Sequence, residues 1–306
     1  MNKLHDMVIV GGGPGGYTAA LYAARAGLDV LVLEKLSAGG QMALTTQVDN
    51  YPGFDQGIDG FTLGMQMLSG AERFGAQTEY AEVYDLELSG PVKLLHTSEG
   101  DFQAKTVVIA TGAGPRHLEL PNEEALVGRG VNYCAACDGM FFKGKTVVVV
   151  GGGNSAAADA LLLSRICEKV ILVHRRDSLR ATKIYHEPLQ KAANVEFRWD
   201  SAVTELLSEG KLTGIRLKNL KTGQEEVLPC DGLFVSIGRK PATQLVQGQL
   251  DLDPQGYIVA GESTETNLPG VYAVGDVRTK ALRQIVTAAA DGAIAAHHAE
   301  EYLAQL

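Results

Sequence analysis

Cys134 and Cys137, three positions apart, with Asp138 directly after the second, are the residues best equipped for chemistry in this sequence. A C-x-x-C pair in a reducing compartment is more often a redox centre or part of a metal site than a structural crosslink. Tetrahedral zinc needs four ligands, commonly from two such pairs. No second pair exists: Cys167 and Cys230 stand alone, and His297-His298 are adjacent on a helix and face different directions. No metal is expected. If the pair opens a helix, the helix dipole lowers a thiolate pKa, and the thiolate is the attacking species. An anionic Asp138 would oppose that thiolate. Its useful form is a shielded acid of raised pKa, able to protonate a leaving thiolate.

The elements that must position these residues repeat. Residues 8–16 read V-I-V-G-G-G-P-G-G, and 140 positions later residues 148–156 read V-V-V-G-G-G-N-S-A. Each copy continues into an alanine-rich stretch and then an apolar run, Val30–Leu33 or Val170–Val173. That is strand–turn–helix–strand, the unit of a dinucleotide-binding fold. Gly11, Gly13, Pro14, Gly15 and Gly16 in the first copy form the turn, as do Gly151, Gly153, Asn154 and Ser155 in the second. Such turns let backbone N–H groups and a helix N-terminus approach a pyrophosphate.

The residue 23 positions after the first turn glycine separates the two sites. In the first copy it is Glu34, suited to a ribose hydroxyl and hence to FAD or NAD. In the second it is His174, followed by Arg175, Arg176 and Arg180, a cluster suited to the 2′-phosphate of NADPH. The later halves repeat as well. Val107–Gly112, containing Thr111, is echoed by Leu233–Gly238, containing Ile237, and each is followed by a proline, Pro115 or Pro241.

The expected fold is therefore α/β, with two Rossmann-like three-layer domains, the second inserted into the first. Residues 1–113 and 243–306 would form one domain and 114–242 the other.

Composition excludes other classes. A net charge of −9 without a lysine or arginine run opposes nucleic acid or an anionic membrane as main partner. No apolar stretch approaches the roughly 18 residues of a membrane span. The first strand, from Met7, leaves no room for a signal peptide, so a cytoplasmic protein is expected.

Taken in order, several segments resemble those of the low-molecular-weight thioredoxin reductases of bacteria: Gly11 to Gly16, Gly39-Gly40-Gln41, Asn50-Tyr51-Pro52-Gly53 and Ala110-Thr111-Gly112. Cys134-Ala-Ala-Cys137-Asp138-Gly139, His174-Arg-Arg with Arg180, and Gly275-Asp276-Val277-Arg278 complete the series. The likeness covers essentially the whole chain. It implies FAD in the first domain, with Gly40, Gln41, Asn50, Thr111, Gly112 and Gly275 around it and Asp276 on the ribityl hydroxyls. Arg283 and Gln284 would begin a C-terminal helix aimed at the flavin. It implies NADPH in the second domain, with Ile237 and Gly238 completing that site.

The implied reaction runs from NADPH to FAD, to the Cys134–Cys137 disulfide, then to thioredoxin or a thioredoxin-like dithiol protein. The resemblance leans toward Cys137 beside the flavin and Cys134 attacking the partner, and the family is typically homodimeric. Ala136 stands where Thr or Val is usual, and Asn154 where many members have an acid. A ferredoxin-driven relative is opposed by the arginines, whereas a thiol oxidase or a non-catalytic NADPH or redox sensor stays open. Both electron donor and acceptor sites fall in the inserted domain, so rotation about Gly112–Pro115 and Gly238–Pro241 is expected in each cycle.

Overall fold

A computed structural model describes residues 3–45 and 47–306. The chain divides into two compact units, the chain up to Gly114 together with Lys240–Leu306, and Pro115–Arg239.

In the first unit the strands Gln77–Tyr80, Val30–Glu34, Leu4–Val10 and Gly100–Ile109 lie side by side and parallel. The last of these is long enough to pair twice. Its C-terminal half takes Val271–Ala273 in parallel, and its N-terminal half takes the antiparallel Lys93–Thr97, which pairs in turn with Val83–Glu87. Continuous apolar runs such as Met7–Val10 suit a parallel sheet covered on both faces. Alternate side chains go to opposite layers. Met7, Ile9, Val30, Val32 and Val108 meet the helices Pro14–Arg25 and Ile285–Leu303 through Ala19, Ala20, Ala23, Ala295 and Ala299. Val8, Val10, Leu31, Leu33, Val107 and Ile109 meet Leu86, Leu88, Leu95, Val246 and Ile258. Full burial of each such aliphatic side chain stabilises the unit by about 1.5–3 kcal/mol.

The second unit repeats the plan. Val195–Arg198, Lys169–Val173, Thr146–Val150, Gly232–Val235 and Val131–Asn132 form a parallel sheet in that order. The helix Asn154–Ser164 packs Ala156, Ala157, Ala160 and Leu163 on Val147, Val149, Leu172 and Phe234. The antiparallel strands Ser201–Ser208, Leu212–Asn219 and Glu225–Pro229 cover the other face through Val203, Leu206, Ile215 and Leu217. In both units, then, one outer layer is helical and the other is built largely on an antiparallel ladder. The sequence reading specified three layers without telling helix from strand in the outer ones.

The two chain crossings, Ala113–Pro115 and Arg239–Pro241, pair as a two-stranded ribbon. Arg116 N–H donates to the Gly238 carbonyl and Ala242 N–H to that of Gly112. No helix among the described residues is long and apolar enough to cross a membrane.

Candidate functional site

In the first unit, the chain leaves Val10 and turns at Gly11, whose φ of 108° favours glycine. A Cβ there would sit 2.5 Å from the Ala110 carbonyl oxygen, and one at Gly16 only 2.0 Å from that of Gly11. The backbone is thus drawn into a wedge no larger residue could enter. Gly13 caps the following helix without a side chain, and Pro14 occupies its first position. The open helix start with its N–H groups fits a pyrophosphate. Glu34 is fixed at the same edge, where its Oε2 accepts from Gly12 N–H at 2.6 Å and its Oε1 from Leu36 N–H at 3.0 Å. A carboxylate so oriented retains lone pairs for a ribose hydroxyl. These residues fit the dinucleotide FAD.

The other flavin-side residues sort themselves in this unit. Gly40 adopts φ 55° and starts the short helix Gly40–Leu44, on which Gln41 is exposed. Asn50 Nδ2 donates to Gln284 Oε1 at 3.0 Å, and Gln284 is the N-cap of the helix Ile285–Leu303. Arg283 therefore precedes the helix rather than beginning it. Its guanidinium lies 3.9 Å from the Tyr257 ring centre and donates to the carbonyls of Asp276 and Arg278. Thr111 Oγ1 donates to the Ala242 carbonyl at 2.7 Å, so it braces a chain crossing beside Gly112, where φ is 72°. Gly275 turns the backbone at φ 72°, leaving the half-buried Asp276 at the end of the strand Val271–Ala273.

The second unit carries the matching turn. A Cβ at Gly151 would lie 2.4 Å from the Ser236 carbonyl oxygen, and Gly153 caps the helix Asn154–Ser164 without a side chain. Ser155 is exposed on its first turn. Asn154 Oδ1 accepts from Thr182 N–H at 2.8 Å, which ties the arginine loop to the helix start. Arg180 N–H and Ala181 N–H both donate to the Gly152 carbonyl. The side chains of Arg175, Arg176 and Arg180 are exposed and make no ion pair among the described residues. Ile237 and Gly238 lie exposed beyond the strand Gly232–Val235.

His174 lies beneath the glycine turn. It is 4% exposed, and a Cβ on Gly152 would fall 2.2 Å from its ring. Burial, and then the nearby arginines, push its pKa down. The ring packs against Gly152, and its Nε2 is buried with no hydrogen-bond partner among the described residues.

In the same unit Cys134 and Cys137 form a disulfide with Cα atoms 5.3 Å apart. Cys134 is the N-cap of the single-turn helix Ala135–Asp138, and Asp138 N–H donates to the Cys134 carbonyl. The pair thus opens a helix, though one turn supplies only part of a dipole. Both cysteines are half-buried, and burial pushes the Asp138 carboxyl up to about 6. Cys167 and Cys230 are buried free thiols, pushed by burial up to about 11 and about 12. No group of three or more His, Cys, Asp or Glu among the described residues could hold a metal ion.

The sequence reading passed over Gly12 and Gly152, the middle glycines that admit Glu34 and His174, and Asp291, a buried acid in an alanine-rich helix. Gly12 and Gly152 are the middle members of the two G-G-G runs, and Asp291 is a lone charge within an apolar stretch.

The pattern of the pyridine nucleotide-disulphide oxidoreductase family matches residues 5–292. The thioredoxin reductase of Streptomyces coelicolor is 48% identical over 309 residues, spanning 100% of this chain and 96% of that protein. A bifunctional thioredoxin reductase/thioredoxin of Mycobacterium leprae is 45% identical over 99% of this chain and 66% of its own length. The crystal structure of thioredoxin reductase from Streptococcus pyogenes superposes with a TM-score of 0.92 at 42% identity, covering 100% of both chains.

Proposed function

The chain belongs to the pyridine nucleotide-disulphide oxidoreductase family, and on that premise we propose that it is an NADPH-dependent flavoprotein that reduces the disulfide of thioredoxin or a thioredoxin-like protein. The observation carrying this reading is a Cys134–Cys137 disulfide in the same unit as a glycine turn flanked by unpaired arginines. When bound, FAD would accept a hydride from NADPH and hand its electron pair to that disulfide.

The residues divide the work. Gly11, Gly13, Gly15, Gly16 and Glu34 hold FAD, aided by Gly40, Gln41, Asn50, Gly112, Gly275, Asp276 and the helix capped by Gln284. Gly151, Gly153, Ser155, Arg175, Arg176 and Arg180 hold NADPH, and Asn154 positions the arginine loop. Reduction of the Cys134–Cys137 bond takes two electrons and two protons and yields two thiols. Asp138, protonated below about pH 6, supplies one proton to the departing sulfur. Cys134 then attacks the partner's disulfide as a thiolate. Cys137 displaces the reduced partner from the mixed disulfide, so two thiols form in the partner as the internal disulfide returns.

The Mycobacterium leprae relative, whose name joins reductase and thioredoxin in one protein, supports that choice of partner. A reducing compartment suits this chemistry, and on that ground the protein is assigned to the cytoplasm as part of the proposal. The homodimer rests on family resemblance.

The test mixes the protein with NADPH and oxidised thioredoxin. Two thioredoxin thiols per NADPH over many turnovers are expected, with NADH a poor donor. Oxidation of one NADPH per protein and then a halt would reveal a sensor. Reduction by ferredoxin but not by NADPH would refute the proposed donor.

A further inference from the structure

Asp291 lies in the second turn of the helix Ile285–Leu303 and is 4% exposed. A buried carboxylate costs several kcal/mol unless it is fully partnered. Here all its partners come from one segment. Oδ2 accepts from Gly275 N–H at 2.8 Å, Arg278 Nε at 3.1 Å and Lys280 Nζ at 2.6 Å, and Oδ1 from the Arg278 terminal nitrogen at 2.9 Å. These bonds outweigh the burial that works against ionisation and hold the carboxyl below its usual range. Three donors on Oδ2 and one on Oδ1 satisfy Asp291 within the protein.

The cations reach further. Arg278 also donates to the carbonyls of Ala260 and Thr279, and Lys280 to that of Thr287 in the helix's first turn. The next residue, Gly292, meets the helix Pro14–Arg25 so closely that a Cβ would lie 2.2 Å from the Gly15 carbonyl oxygen. Positions 291 and 292 therefore register both the Gly275-Asp276 turn and the first glycine turn on one helix. Buried ion clusters often stabilise no more than apolar packing would, but they hold a single geometry.

We infer that Asp291 is a positioning residue for FAD: by accepting Gly275 N–H, with Arg278 and Lys280 fixing its carboxylate, it holds the Gly275-Asp276 turn in its binding shape before the cofactor arrives. This rests on the assignment of FAD to this unit.

The test compares two double variants that carry the same net charge in the cluster. Asp291→Asn/Lys280→Met keeps a side-chain acceptor for Gly275, and Asp291→Ala/Lys280→Met does not. Release of FAD from each holoenzyme on dilution is followed by the rise in flavin fluorescence. Thermal unfolding and NADPH binding serve as controls. The Asn form should hold FAD within about threefold of wild type, and the Ala form at least tenfold more weakly, as loss of one hydrogen bond to a buried donor predicts. The Ala form should also show an altered visible flavin spectrum with near-normal unfolding and NADPH binding. Equal FAD retention by the two would overturn the inference. So would a collapse of the Ala form's fold, which would mark Asp291 as structural support only. Absence of FAD from the wild-type chain would instead overturn the cofactor assignment.

Discussion

Asp138 sets the pH dependence expected of disulfide reduction. Its carboxyl is raised to about 6 by burial, so the acid form dominates below that pH and falls about tenfold per unit above it. Stopped-flow reduction of the disulfide by NADPH should slow as pH rises through about 6. Asp138→Asn should remove that inflection and slow the step about tenfold or more. A wild-type profile in Asp138→Asn would refute the acid role. The thiols make a second contrast. After reduction, iodoacetamide should label Cys134 and Cys137 in the native protein, whereas the buried Cys167 and Cys230 should react only after unfolding. Labelling of either lone cysteine in the native state, read by peptide mass, would contradict the burial argument. Cys134-x-x-Cys137 was legible as chemistry because thiol spacing is local. The shielding of Asp138 was expected from its place beside a thiolate, whereas the packing that supplies it comes from residues distant in sequence and was not legible.

At the scale of elements, the arginine loop is tied by its backbone and by Asn154, which frees its guanidinium groups. Arg175→Ala/Arg176→Ala should weaken NADPH binding roughly tenfold or more per arginine and leave NADH nearly unchanged, because only NADPH carries the 2′-phosphate. A native ratio of NADPH to NADH efficiency in that variant would refute the clamp. The glycine motifs, strands and helices were readable from apolar runs and turn residues. The contact of His174 with Gly152 was not legible, because it joins residues distant in sequence that lie on different elements. The crossing of the first and last helices was equally unreadable. Gly292→Ala should force them apart at Gly15, costing about 1–3 kcal/mol by chemical denaturation and loosening FAD. Unchanged stability and FAD retention would show that the crossing relaxes freely.

At the scale of the whole molecule, the arginine loop and the cysteine pair both belong to Pro115–Arg239, while the proposed FAD residues belong to the other unit. Hydride transfer needs reacting atoms about 3–3.5 Å apart, so both sites cannot use one cofactor at once. The paired crossings at Ala113–Pro115 and Arg239–Pro241 are the places where dihedral change can concentrate. A short crosslink between the units, away from either site, should preserve binding of FAD and NADPH yet abolish multiple turnovers. Cutting the link should restore them. Full steady-state activity in completely crosslinked protein would refute the need for rotation.

The sequence by itself determined the α/β class, the duplicated dinucleotide motif, the redox pair and the separation of a carboxylate-edged site from an arginine-edged one. Each of these is written in local spacing, since a glycine turn, an apolar run or a C-x-x-C pair acts through neighbours along the chain. Only the tertiary structure decided that His174 lies beneath Gly152, that Thr111 braces Ala242, and that Asp291 gathers Gly275, Arg278 and Lys280. Those contacts join residues distant in sequence or on different elements, and their chemistry follows from burial and charge pairing, which exist only once the elements have packed.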